Sequence, residues 1–380
     1  MLSVAGFTLF FFATSLVLAL SGRLPPWLAA HLAFAAGVVP LILAAMIHFV
    51  PVLTRSGDPA AVIRRLPFLA QAVGLLVLPA LLGMLPHSLL ALIATVDAVL
   101  AAILLRWVWL RAHRSLGTPH PGWRWYAGAL VCLMLAMLAV IGLVLAPEST
   151  RPLRLAHLHL NTLGLVGLAA LGTLPVLLPT ALGQPDPEAA RWLQRMRWPM
   201  FAGVALVAGG TMLSPLGGLG RIFAASGAAA LMIVCILLAA QWLRRFGMPL
   251  LAGDGVALPL FAALFGFVCS LLLGVAHGFG LMPGQATLLL WLPAFLLPLV
   301  SGALSQLLPV WRWPGPALPC RRQMRATLAW LGQIRAVLWL TAGALFAAEE
   351  VLTGSLLLLV GLASWVLNLA KALRIPRSTQ

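Results

Sequence analysis

"AHLHLNTLGLVGLAALGTLPVLLPTALG", residues 156–183, decides how this chain is read. It is long and apolar enough to cross a bilayer, which takes about 20 mostly apolar residues as a helix. It nevertheless opens with His157, His159 and Asn161. Lipid has no use for those side chains, so they either satisfy one another at an interface or hold something. The apolar character extends to the whole chain. Of its 380 residues 62% are hydrophobic and only 8% are charged, and the mean hydropathy is +1.05. A soluble domain carries about 25% charged residues. The composition therefore specifies an integral membrane protein whose first partner is the lipid bilayer.

Twelve stretches qualify as spans: 4–22, 29–53, 67–85, 88–108, 126–146, 157–181, 198–215, 221–243, 257–277, 285–309, 327–347 and 351–370. The pair within 198–243 is the least sharply divided. The first stretch has no basic leader and no A-x-A site, so it reads as a spanning helix rather than a cleaved signal. Arginines concentrate in alternate connections: Arg55, Arg64 and Arg65 after the second span, Arg106, Arg111, Arg114 and Arg124 after the fourth, and Arg191, Arg195 and Arg197 after the sixth. Arg244 and Arg245 follow the eighth, Arg312, Arg321, Arg322 and Arg325 the tenth, and Lys371, Arg374 and Arg377 the last. The other side has only Arg23, Arg151, Arg154 and Arg221. By the positive-inside rule both termini are expected in the cytoplasm of a multi-pass inner-membrane protein. The net charge of +16 is thereby accounted for by topology. With no soluble domain to carry it, a nucleic-acid role is set aside. Cys132, Cys235, Cys269 and Cys320 form no CxxC and no secreted-type framework, so no disulfide is expected.

A repeat underlies the count. The opening stretch aligns with "AHLAFAAGVVPLILAAMIHFVPVLTRSG" from residue 30 and "LWLPAFLLPLVSGALSQLLPVWRWPG" from residue 290. Pro51, Pro179 and Pro309 fall in register, 128 and 130 residues apart, and Ala44, Gly172 and Gly302 share a column. Small residues in one column permit close helix contact. The second, sixth and tenth spans are thus equivalent. The expected fold is all-α: a single polytopic membrane domain, 1–380, of about twelve transmembrane helices. It is organised as three pseudo-repeated four-helix units, approximately 1–125, 126–250 and 251–380.

Ionisable groups inside spans are candidates for function because burying them in lipid is unfavourable. His31 starts the second span, His157 and His159 start the sixth, and His277 ends the ninth, all toward the outer face; His87 lies in an outer loop. Each can equally be a helix-end imidazole bonded to backbone or headgroups. His48 stands 17 residues beyond His31, roughly 25 Å deeper at the helical rise, so one metal cannot use both. Residues two apart on a helix point about 200° away from each other, so His157 and His159 cannot share a ligand. Asn161, four residues after His157, lies on its face and could fix its tautomer. Asp97 sits in mid-span as a proton or structural site, with Gln71, Asn368 and Arg335 as candidate partners. His113 and His120 are expected in solvated loop, and Glu349 and Glu350 in a solvated turn.

The layout resembles the catalytic subunit of heme–copper oxidases, a pseudo-threefold bundle with histidines at the outer ends of inward-running helices. The local likeness is sharper. "RPLRLAHLHLN", 151–161, followed by Gly172 and Pro179, resembles the second helix of nitric oxide reductases and C-type oxidases: basic residues, His-x-Asn, small residues, a terminal proline. The resemblance implies that His159 ligates a low-spin heme b and that Arg151 and Arg154 meet its propionates. NnrS-type membrane heme–copper proteins are a looser likeness. The likeness falls on the sixth span, not the second, and the tenth and seventh spans contain no histidine. The standard oxygen- or NO-reducing centre is therefore not carried over. The expectation is a protein binding heme b, copper or both through His31, His157, His159 and His277. It would serve redox, metal handling or nitric-oxide-related respiration, with an electron-transfer partner. The rival classes are a secondary transporter and a structural or assembly subunit without cofactor.

Overall fold

The structure, a computed structural model, describes residues 2–213, 217–315 and 319–376. The described residues form an all-α polytopic bundle without strands. Twelve long helices run along the chain: α1 Leu2–Leu20, α2 Pro26–Leu53, α3 Ala61–Leu81, α4 Leu89–His113, α5 Gly122–Leu145 and α6 Thr150–Ala181. After them come α7 Ala189–Met212 and α8 Gly218–Gly253, α9 Ala257–Gly278, α10 Gly284–Arg312, α11 Pro319–Ala347 and α12 Val351–Leu373. Each corresponds to one of the twelve expected spans. Eleven of them are long and apolar enough to cross a membrane; α7 carries Arg191, Arg195 and Arg197 along its first turns.

Several basic connections are helix rather than loop. The segment holding Arg191, Arg195 and Arg197 is the start of α7. Arg244 and Arg245 lie within α8, which bends at Gly247 (φ 72, ψ 154), a conformation natural to glycine. Arg321, Arg322 and Arg325 lie on the first half of α11. That half ends at Leu331, in the left-handed region at φ 56. The carbonyls freed by this break are bound by buried side chains. Arg335 donates to Leu328 O (2.8 Å) and Trp330 O (2.6 Å), and Asn368 donates to Trp330 O (2.7 Å). A membrane tolerates broken helices only where freed backbone groups find such partners. The expected division of the seventh and eighth spans near residue 215, and Arg377, lie outside the described residues.

The chain divides into two compact units: Met1–Gly172 with Leu193–Arg197 and Ala208–Gly220, and Thr173–Trp192 with Trp198–Val207 and Arg221–Gln380. In the first, Ala36, Leu43, Val50, Leu104, Trp125 and Leu130 form the interior. In the second, Leu231, Trp242, Leu260, Phe267 and Trp339 do so. Exposed Phe10, Leu92, Leu138, Ile233, Phe265 and Leu367 give the units an apolar exterior. Such a surface suits the bilayer and no aqueous phase.

The repeat has a backbone signature. α2, α6 and α10 each open into a π-helical stretch, at Phe34–Val38, Leu160–Gly167 and Leu292–Leu296. Offsets of 128 and 130 bring these stretches into register with the aligned prolines. π-helical turns inside α-helices are rare and occur often at functional sites. The exits match as well. After α2, Ser56 N–H reaches Pro51 O and Arg55 N–H reaches Val52 O; after α6, Gln184 N–H reaches Pro179 O and Gly183 N–H reaches Thr180 O. Arg55 and Gly183 both take positive φ, 47° and 70°. These are two copies of one Schellman cap.

Candidate imidazole site

The first unit brings together two of the four candidate histidines. α2 begins with Pro26 at its first position, where a missing N–H is harmless. One turn on, His31 Nδ1–H donates to Trp27 O at 2.7 Å, and its ring meets Trp27 edge-on. On α6, His157 Nδ1 lies 3.2 Å from Ala136 O of α5. The two rings lie parallel, 5° between planes and 6.4 Å between centroids. Both Nδ1 atoms face backbone carbonyls, which leaves each neutral ring its Nε2 lone pair. A hydrogen bond from one imidazole nitrogen to a carbonyl is what sets the other nitrogen up for a metal. Two metal–nitrogen bonds of about 2 Å each, plus two ring radii, come to about 6 Å between the centroids of imidazoles on opposite sides of one ion. The observed separation fits such a pair.

Asn161 is where the helical face places it. Its Nδ2 donates to His157 O at 2.9 Å and lies 3.3 Å from His157 Nδ1. Arg154, a turn before His157 on the same face, is exposed, as is Arg151.

His159 is the histidine that the family pattern selects. Its Nδ1–H donates to Leu155 O of its own helix at 2.8 Å, with Thr211 Oγ1 of α7 at 3.4 Å. It does not join His31; His157 does. The register counted from the prolines and the register counted from the π stretches differ. His31 and His159 both precede their aligned prolines by 20 residues, and His157 precedes by 22. The π stretch has eight residues in α6 and five in α2. Both His31 and His157 stand three residues before their π stretch.

The remaining histidines have these surroundings. His277 belongs to the second unit; it is exposed, and its Nδ1–H donates to Met282 O at 3.0 Å within its own turn. His48 sits against Phe49 far along α2, and His87 is exposed. His113 is the last residue of α4, stacked on Trp109 at 4.0 Å. His120 is not solvated loop. Its N–H donates to Leu53 O at 2.8 Å, its Nδ1 accepts from Gly122 N–H at 3.3 Å, and burial lowers its pKa. Among the described residues no three His, Cys, Asp or Glu are grouped to hold a metal ion. Of the four candidates, His31 and His157 are the two whose rings are described side by side.

The candidate partners of Asp97 on α4 have bonds of their own. Gln71 donates to Ala36 O in the first π stretch at 2.8 Å, and Arg335 and Asn368 bind the α11 break. Asp97 Oδ1 is buried without a hydrogen-bond partner. Sequence reasoning missed Ala136 and Thr211, because a carbonyl acceptor and a helix-turn hydroxyl carry no motif. No protein-family model matches this chain, and no curated protein is significantly similar to it.

Proposed function

We propose that this integral membrane protein binds heme b or copper between His31 and His157 and serves one-electron transfer. The observation that carries the reading is the parallel pair of neutral imidazoles from two different helices, 6.4 Å between ring centroids. Neutral imidazole suits iron and copper, and two axial histidines are a regular heme donor set. The ion supplies reversible one-electron chemistry when bound. The chain's own residues do the rest. Trp27 O and Ala136 O hold the two rings by Nδ1. Asn161 ties the His157 backbone to its own side chain. The exposed Arg151 and Arg154, on the turns before His157, are the cations that would pair with the propionates of a heme. The resemblance to nitric oxide reductases and NnrS-type proteins supports a place in respiratory or nitric-oxide-related redox chemistry of an inner membrane. The arginine distribution supports cytoplasmic termini.

The test is a visible absorption spectrum with metal analysis of the purified protein. A heme Soret band, or copper in stoichiometric amount, is expected, and His31→Ala and His157→Ala should each abolish it. Full-length, folded protein with neither heme nor copper would overturn the reading.

A further inference from the structure

We infer that the Asp97 carboxyl is the proton-binding group coupled to electron arrival at the His31/His157 centre; the inference rests on the proposed function. Three observations converge. Asp97 Oδ1 is buried and unpartnered inside an apolar span, where a carboxylate needs a compensating positive charge nearby, as an oxidised metal centre would supply, and a neutral carboxylic acid does not. Leu90 and Ile93 of α4 pack with Val140 and Val144 of α5 in one cluster. Continuing that antiparallel register one turn inward sets Asp97 opposite Ala136, whose carbonyl receives His157 Nδ1–H. The levels also agree. His31, His157, Asp97 and Ala136 lie five, seven, eight and nine residues from the near ends of α2, α6, α4 and α5. At the helical rise that is roughly 8–14 Å, one layer of the first unit.

The helices packed on α4 are α2, α3 and α5. Their titratable or charged groups are His31 and His48 on α2, Arg64 and Arg65 on α3, and Arg124, Tyr126 and Cys132 on α5. His48, Arg64, Arg65, Arg124 and Tyr126 lie toward the opposite ends of those helices, so none of them shares the Asp97 layer. The thiol of Cys132 lies one turn beyond it. Asp97 is then the carboxyl whose charge can offset an electron added behind α5.

The step is balanced as follows. With heme or copper held by His31 and His157, that centre would accept one electron from a reduced metalloprotein, which would be oxidised by one electron. The Asp97 carboxylate would take one proton from hydronium: the carboxyl O–H bond forms, one O–H bond of hydronium breaks, and water is left. The net charge of the layer is unchanged, which a low-dielectric interior favours.

The experiment is redox titration of the full chain between pH 6 and 9, beside Asp97→Asn and Asp97→Glu. The wild-type midpoint should fall with rising pH, toward about 59 mV per unit, the one-electron equivalent of a tenfold change in proton activity. Asp97→Asn should keep the spectrum and flatten the slope; Asp97→Glu should restore it with a displaced onset. Reduced-minus-oxidised infrared spectra should show a carboxylic C=O band that Asp97→Asn removes. An unchanged slope or band in Asp97→Asn overturns this inference alone. Wild-type protein without heme or copper overturns the proposed function and this inference with it.

Discussion

His157 and His159 differ in what their rings touch, and that difference is measurable. His157 Nδ1 lies against Ala136 O of another helix and its ring is parallel to His31. His159 bonds within its own turn and to Thr211. His157→Ala should therefore abolish bound heme or copper. His159→Ala should leave it bound, with at most the 10–100-fold loss of affinity typical of outer partners; full loss in His159→Ala with binding retained in His157→Ala would reverse the assignment. The histidines, Asn161 and Asp97 were all legible as candidates, since polar residues in apolar spans announce themselves. Which histidine pairs with His31 was not, because counting at 100° per residue assumes an unbroken α-helix. His120 carries a separate consequence. Its Nδ1 accepts from Gly122 N–H, which requires a neutral ring, and burial holds its pKa below the ordinary 6.5. The unfolded chain thus binds this proton more tightly than the folded one. Stability from this group is complete above pH 6.5 and is lost as pH falls from 6.5 toward the folded-state value. Melting temperature in detergent should drop on acidification over that window, and His120→Gln should remove part of the drop.

At the scale of helices, the π stretches determine how the bundle packs. A wide turn exposes carbonyls, and neighbouring helices answer them: Thr8 of α1 donates to Gly37 O at 3.0 Å and Gln71 of α3 to Ala36 O at 2.8 Å. Between helices in lipid such a bond contributes about 0.6 kcal/mol, up to about 1.7. Glycine lets the neighbours approach. A Cβ on Gly74 of α3 would strike the Ala35 backbone in the first π stretch, and a Cβ on Gly266 of α9 the Ala294 backbone in the third. Backbone cannot swing aside as a side chain can. Gly74→Ala should destabilise by about 1–3 kcal/mol, the usual range for overpacking. Gly6→Ala, with nothing within 4 Å of its Cβ, should be neutral. Chemical or thermal unfolding in the same detergent compares them, and equal stability of Gly74→Ala and wild type would contradict close packing at the π stretch. The helices themselves and their near-register prolines were plain from hydropathy. The π-helices were not, because their widening depends on partners on other helices, and the helical starts of α7 and α11 were hidden because arginine-rich segments read as loop.

The three-span repeat and the arginine bias meet in the whole molecule. The exits of α2 and α6 share one cap, and arginines tie the exits of α2, α6 and α10 to α4, α8 and the residue after α12's end. Arg111 of α4 donates to Ser56 Oγ (2.7 Å), Gly57 O and Asp58 O. Arg245 of α8 pairs with Asp186 at 2.6 Å, and Arg312 donates to Ile375 O beyond α12 at 3.3 Å. An arginine at each of these places does two tasks. It closes the repeat, and it holds the connection on the side where basic residues stay during insertion. All three ties are therefore expected to lie in the cytoplasm, with the His31/His157 layer toward the opposite face. A reporter fused after Gln380 that is active only in the cytoplasm should be active, and one inserted between α3 and α4 near His87 should be silent. The reverse pattern would put the imidazole pair on the cytoplasmic side, and electrons would then have to reach it from a cytoplasmic donor. Because each arginine ties an exit, from α4 or α8 in two cases and from the end of α10 in the third, Arg111→Ala, Arg245→Ala and Arg312→Ala should each loosen their own exit, read as faster proteolysis from the cytoplasmic side, without changing this orientation.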